Sequence, residues 1–114
     1  MKTRLTIEES AQLIELGIDQ KMASEWEIVD TTDENDPNSF LDYEEYPIFS
    51  LTNLLSILPK EIEDSVLGME YDSEFKQWWA GYNAVSLKSA PELIDALNSL
   101  LIWVLENNLN QEKQ

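Results

Sequence analysis

One segment near the C-terminus has few ways to fold other than as a broadly buried helix. Apolar residues recur at helical spacing between Ser89 and Glu106. The central stripe and its flanking residues are Leu93, Leu97, Leu100 and Val104, with Ile94, Leu101, Trp103 and Leu105. So wide an apolar arc predicts a helix that packs across a sheet. Ser89 and Glu92 have the spacing of a capping box, so we expect the helix to begin there.

Further helices are predicted in the N-terminal half. Thr6 and Glu9 form a capping box for a helix over 6–16, and Gly17 is suited to end it. We expect the buried stripe of this helix to be Ile7, Ala11 and Ile14, with Leu13 nearby. The other predicted helices are a short one over 20–24 and one over 51–58 that Ser50 caps.

Extended segments alternate with these helices. Residues 26–29 suit a short strand, and residues 47–49 suit a short extended piece. Residues 65–82 suit a hairpin that pairs Gly68 with Trp78. The chain is therefore predicted to be α+β, with a small, mostly antiparallel sheet packed on three to four helices and a long C-terminal helix. At 114 residues it is expected to form a single domain over 1–114.

Negative charge is concentrated in one part of the chain. Lys and Arg number 7, Asp and Glu number 23, and the formal net charge is −16. Residues 22–59 hold nine of the acids and no cation. Within them, residues 30–45 are rich in Asp, Glu, Asn and Pro, which predicts an exposed, mobile acidic loop. The acidic residues that we expect to bind a partner are Asp33, Glu34, Asp36, Asp42, Glu44 and Glu45.

Two functional hypotheses arise from these patterns. The acidic loop could mimic nucleic-acid phosphate and occupy the groove of a basic protein, or it could serve only to keep the chain soluble. Trp78 and Tyr82 are expected on an exposed face of the predicted hairpin, where aromatic side chains anchor partners. The alternative for these two aromatic residues is burial in the core or under a second copy. We therefore expect a small protein-binding or regulatory module, or else a structural homo-oligomer.

The composition excludes several kinds of chemistry. His and Cys are absent, which excludes zinc and iron–sulfur sites, disulfides and Ser-His-Asp or Cys-His catalysis. No glycine motif for phosphate is present, and the charge opposes direct nucleic-acid binding. An EF-hand beginning at Asp33 would place Pro37 and Asn38 where a ligand and a glycine are needed. No cofactor or metal is expected.

Catalysis would have to depend on carboxylates. Glu70 with Asp72, or Glu61 with Asp64, could form the acid pair of a hydrolase. With 23 acidic residues such pairs arise by chance, so an enzyme is not expected. The chain has neither an apolar leader nor a run long enough to cross a bilayer, which predicts a cytoplasmic protein without membrane contact.

Three segments together carry a resemblance to known proteins: residues 6–17, residues 47–55 and residues 92–107. They resemble small uncharacterised acidic proteins of gut anaerobic bacteria and their mobile elements or phages. This resemblance implies no catalytic residues and no function.

Overall fold

A computed structural model of the chain describes residues 1–32, 35, 43–83 and 85–108. The elements in chain order are α1 (Ile7–Glu15), a short 3-10 helix (Gln20–Met22), β1 (Glu25–Asp30), β2 (Tyr43–Ile48), α2 (Leu51–Ile57), β3 (Glu61–Ile62), β4 (Ser65–Asp72), β5 (Gln77–Tyr82), β6 (Ser86–Ala90) and α3 (Leu93–Glu106).

The described strands form two separate sheets, so the predicted single sheet is wrong. Strands β1 and β2 pair only with each other, and the second sheet has the order β3-β4-β5-β6. All pairings are antiparallel, and the class is α+β with a long C-terminal helix. Just beyond the end of β2, the N-terminal segment adds an isolated antiparallel bridge between Arg4 and Ser50. There the Leu5 N–H donates to the Phe49 carbonyl at 2.9 Å.

The predicted acidic loop is shorter than expected. Asp30 is the last residue of β1, and residues 43–45 begin β2. These residues are polar because most of the β1–β2 hairpin is exposed, which is why composition alone indicated a loop. Residues 33, 34 and 36–42 lie outside the described part of the chain.

Helix α3 packs against β5 and β6 on one side and against α2 on the other. Its side chains Ile94, Leu97, Leu100, Leu101 and Val104 are fully buried. Burying one such side chain contributes about 1.5–3 kcal/mol, so this helix is the main source of core stability. None of the described helices is both long and apolar enough to cross a membrane.

The predicted start of α3 is wrong. The helix begins at Leu93 after the N-cap Glu92, whose side chain makes no capping hydrogen bond. Ser89 is not a cap, because it lies in β6 opposite Trp79. Because β6 ends only two residues before α3, residues 89 and 90 are extended and cannot form the first helical turn that the capping-box spacing predicts.

The ends of helix α1 are confirmed. The Thr6 hydroxyl accepts from the Glu9 N–H at 3.1 Å, and the Glu9 carboxylate accepts from the Thr6 N–H at 3.0 Å. Gly17 follows the helix with φ of 117°, a conformation that favours glycine. These contacts are local, so the sequence pattern was sufficient to predict them.

The predicted buried stripe of α1 is correct only in part. Leu13 is fully buried and Ile14 packs against the core. Ala11 is exposed, whereas Ser10, which was not predicted, is buried. The polar Ser10 is tolerated in the core because its hydroxyl accepts from the Phe49 N–H at 3.1 Å. This bond fixes α1 against the chain that follows β2.

Lys2 ties the N-terminal segment to two helices. Its ammonium lies 3.0 Å from the Glu9 carboxylate in α1 and 2.8 Å from the Asp95 carboxylate in α3. Burial alone would lower the pKa of Lys2, but the hydrogen bonds to Asp95 and Glu9 raise it above its ordinary value. Burial would raise the pKa of Glu9, but hydrogen bonds from Thr6 and Lys2 hold it below its ordinary value.

Candidate functional site

One face of the four-stranded sheet is not covered by α3, and we call it the outer face. Alternation along each strand places nine residues there: Val66, Gly68, Glu70 and Asp72 of β4, Gln77, Trp79 and Gly81 of β5, and Leu87 and Ser89 of β6. Three large apolar side chains on it remain in solvent. Val66 is 66% exposed, Leu87 56% and Trp79 38%.

A groove with a volume of about 850 Å³ runs over this face. Its floor includes Gly68 and Gly81, which the register places directly opposite each other on β4 and β5. Val66, Trp79 and Leu87 stand around the two glycines. The groove is open and within the volume range of ligand sites, and it exists because two facing positions lack side chains.

The two glycines are present for different reasons. A Cβ on Gly81 would overlap the Ser86 carbonyl oxygen and would lie 2.9 Å from the Leu87 Cα, so β6 approaches too closely for any other residue. A Cβ on Gly68 would meet nothing within 4 Å. Gly81 therefore serves the fold, whereas the fold places no steric demand on Gly68.

The groove carries negative charge toward one end. Glu70 and Asp72 line it, following Gly68 along β4. The only cation in strands β3 to β6 is Lys88, and the register places it opposite Ala80, on the side of the sheet that packs against α3. Among the described residues no Lys or Arg forms an ion pair with Glu70 or Asp72. The groove is thus apolar at one end and anionic at the other.

The predicted hairpin register is wrong, and this changes which aromatic residues are exposed. Gly68 lies opposite Gly81 rather than Trp78, a shift of three residues. The turn is longer than expected because the Asp72 carboxylate accepts from the N–H groups of Glu74 and Phe75, at 2.9 and 3.2 Å. An odd shift moves side chains to the other face. Trp79, which the sequence did not single out, therefore lies on the outer face.

Tyr82 and Trp78 lie on the opposite side of the sheet from the groove. Tyr82 is fully buried, so its predicted exposure is wrong. Its hydroxyl donates to the Pro59 carbonyl at 2.5 Å, and burial raises its pKa to about 12. Trp78 is partly buried against the core, with its ring 5.3 Å from that of Tyr71. The structure therefore gives these two residues a packing role.

Of the acidic residues predicted to bind a partner, the structure describes Glu44 and Glu45, and these two do not share a surface. Glu44 lies opposite Val29 and Glu45 opposite Ile28, so the two carboxylates point to different faces of the β1–β2 hairpin. Glu44 accepts a hydrogen bond from the Tyr46 hydroxyl, which raises the pKa of Tyr46. The remaining predicted binding residues, Asp33, Glu34, Asp36 and Asp42, lie outside the described residues.

The β1–β2 hairpin has a second exposed apolar surface. Trp26 and Ile28 of β1 and Tyr43 of β2 share one face, and all three are exposed. No cluster of three or more acidic residues able to hold a metal ion occurs in the described ranges.

Comparisons with protein-family profiles, with curated proteins and with solved structures find no match to this chain. The resemblance to acidic proteins of gut bacteria therefore stays a prediction.

Proposed function

We propose that the protein is a binding module that holds a segment of another protein in the groove of the outer face. The observation that carries this proposal is the exposure of Val66, Trp79 and Leu87 around the glycine floor. Exposed apolar clusters on small domains mark interaction sites more often than chance. A strand face with an open gap suits the side chains of a bound polypeptide.

The geometry favours binding over hydrolysis. Glu70 and Asp72 are separated by one residue on β4, and both line the groove. The Asp72 carboxylate, however, already accepts two hydrogen bonds from the turn. Hydrolysis by an acid pair also needs one carboxyl in an enclosed, desolvated pocket, and this groove is open to solvent.

The substitution Gly68→Val tests the proposal because it fills the groove without a backbone clash. Valine is favourable in strands, so the fold should be retained. A peptide side chain that can no longer enter the gap loses about 1.5–3 kcal/mol of burial, which corresponds to roughly ten- to a hundredfold in affinity.

The measurement is selection of a random displayed peptide library on the immobilised protein. Selected peptides should bind the wild type and lose at least tenfold on Gly68→Val. Ser86→Val is the matched control, since Ser86 lies opposite Tyr82 on the other side of the sheet. Peptides that bind both variants as tightly as the wild type would overturn the proposal. Circular dichroism and thermal unfolding establish that each variant is folded.

A second candidate function is structural self-association through the exposed face of the β1–β2 hairpin. A two-stranded sheet is marginally stable by itself, and burying Trp26 and Ile28 against a second copy would stabilise it. Sedimentation at micromolar concentration should then show a dimer that Ile28→Lys dissociates. A wild-type chain that remains monomeric rules this candidate out.

A further inference from the structure

We infer that the segment bound in the groove is extended and carries an aliphatic side chain followed, two residues later, by an arginine. This inference depends on the proposed function and adds the chemistry of the ligand. It follows from three features of the outer face: the spacing of its rows, the pairing of Glu70 with Trp79, and the absence of a cation.

The outer face presents its features in rows at regular spacing. Gly68 and Gly81 form an empty row, and Glu70 and Trp79 form the next row along the strands. Residues two apart in a strand are separated by about 7 Å and point to the same side. An extended ligand has this same spacing. A ligand side chain that enters the empty row is therefore followed, two positions along, by one that meets Glu70 and Trp79.

The empty row accepts an aliphatic side chain. Nothing lies within 4 Å of a Cβ position on Gly68, and the Leu87 side chain lies over Gly81. Val66 bounds the gap along β4. These surfaces offer no charged group, so a branched aliphatic side chain is the best match for this position.

The row formed by Glu70 and Trp79 suits a guanidinium group. The two residues are directly opposite each other, which places their Cβ atoms about 5 Å apart. A planar guanidinium can stack on the indole of Trp79 and donate to the Glu70 carboxylate at the same time. A lysine ammonium is compact and makes only one of these contacts well, so arginine should be preferred.

Charge disfavours a second copy of the chain as the occupant. Two outer faces brought together would bury the Glu70 and Asp72 carboxylates of both copies in one interface. Strands β3 to β6 offer no outward cation to neutralise them, and the net charge of −16 adds to the repulsion. A cationic segment of a different protein gains attraction where a second copy meets repulsion.

The experiment uses end-blocked peptides with threonine at every second position. Of the residues between the threonines, a valine is followed two positions later by an arginine. Matched peptides replace the arginine with lysine or glutamine, or move it by one residue. Affinities are measured by fluorescence anisotropy at physiological ionic strength. The arginine peptide should bind at least tenfold more tightly than the glutamine and displaced peptides, and several-fold more tightly than the lysine peptide.

Three variants of the full chain assign the contacts. Glu70→Gln should weaken binding of the arginine and lysine peptides and leave the glutamine peptide unchanged. Trp79→Leu should remove the preference for arginine over lysine. Glu15→Gln is the control for Glu70→Gln, because it removes the same charge from an exposed position of α1, outside the groove. It should have no effect beyond the general weakening expected from one fewer charge.

Distinct results separate this inference from the proposed function. Equal losses in Glu70→Gln and Glu15→Gln would show that only overall charge attracts the peptide, and would overturn the inference. If the glutamine peptide binds as tightly as the arginine peptide, and Gly68→Val abolishes its binding, the arginine assignment is wrong. That result would still support the groove as the binding site. If binding of every peptide is unaffected by Gly68→Val, both proposals are wrong.

Discussion

Replacing each of the two facing glycines with alanine should change stability in opposite directions. In Gly81→Ala the new methyl overlaps the Ser86 carbonyl oxygen and lies 2.9 Å from the Leu87 Cα. Both are backbone atoms, so β6 must move away from β5. Overpacking of this kind costs about 1–3 kcal/mol. In Gly68→Ala the methyl meets nothing within 4 Å, and alanine in a strand is favoured over glycine by about 0.5–1 kcal/mol.

The two variants should therefore differ by about 1.5–4 kcal/mol in free energy of unfolding. Urea denaturation followed by tryptophan fluorescence measures this difference. With an m-value of about 1–3 kcal/mol/M, the midpoints should lie at least about 0.5 M apart. Gly17→Ala is a useful third variant because it has open space but φ of 117°. It tests backbone strain without a steric clash, and should be destabilised by about 1 kcal/mol or more.

Equal stability of Gly68→Ala and Gly81→Ala would refute this reasoning. It would mean that β5 and β6 do not approach each other closely at Gly81. The groove floor would then be shaped differently, and the distinction between a structural and a free glycine would not hold.

Three further predictions concern polar groups at the core. Tyr82→Phe should lose about 1 kcal/mol of stability in thermal unfolding, because the Pro59 carbonyl loses its donor. Asn98→Leu should gain about 1 kcal/mol, since the amide oxygen is buried without a hydrogen-bond partner; a loss in urea denaturation would contradict this. The lowered pKa of Glu9 stabilises the fold above its ordinary value of 4.5, and this contribution is lost as pH falls through the lowered pKa. Lys2→Met should reduce that pH dependence in acid titrations of stability and cost about 1 kcal/mol or less near neutral pH.

The parts of the fold that the sequence could predict are those decided by neighbouring residues. The Thr6 and Ser50 caps and the Gly17 terminator each depend on groups within a few positions along the chain. Ser89 shows the limit of this approach. Its capping-box spacing was correct as a pattern, but the pairing of Ser89 with Trp79 on β5 took precedence.

The candidate site was less predictable because it depends on register. The Asp72 carboxylate caps the turn, and Lys76 adopts φ of 53°, which lengthens the loop between β4 and β5. Neither feature has a strong signal in the sequence, since the turn lacks glycine. The resulting odd shift exchanges Trp78 for Trp79 on the open face. Only the end of strand β2 was predicted, because its exposed first half has the composition of a loop.

The contacts of Lys2 also affect how the molecule can open. The N-terminal segment, which pairs with the chain just after β2, is joined to α3 by an ion pair between Lys2 and Asp95, in addition to apolar packing. Protonation of Glu9 removes the other ion pair while leaving the apolar core unchanged. Acid below the ordinary Glu9 pKa of 4.5 should therefore lower the free energy of local opening at the N-terminus, which starts below that of global unfolding. In hydrogen exchange, we expect the amide of Leu5 to become labile before those of α3, while the four-stranded sheet that carries the groove stays folded.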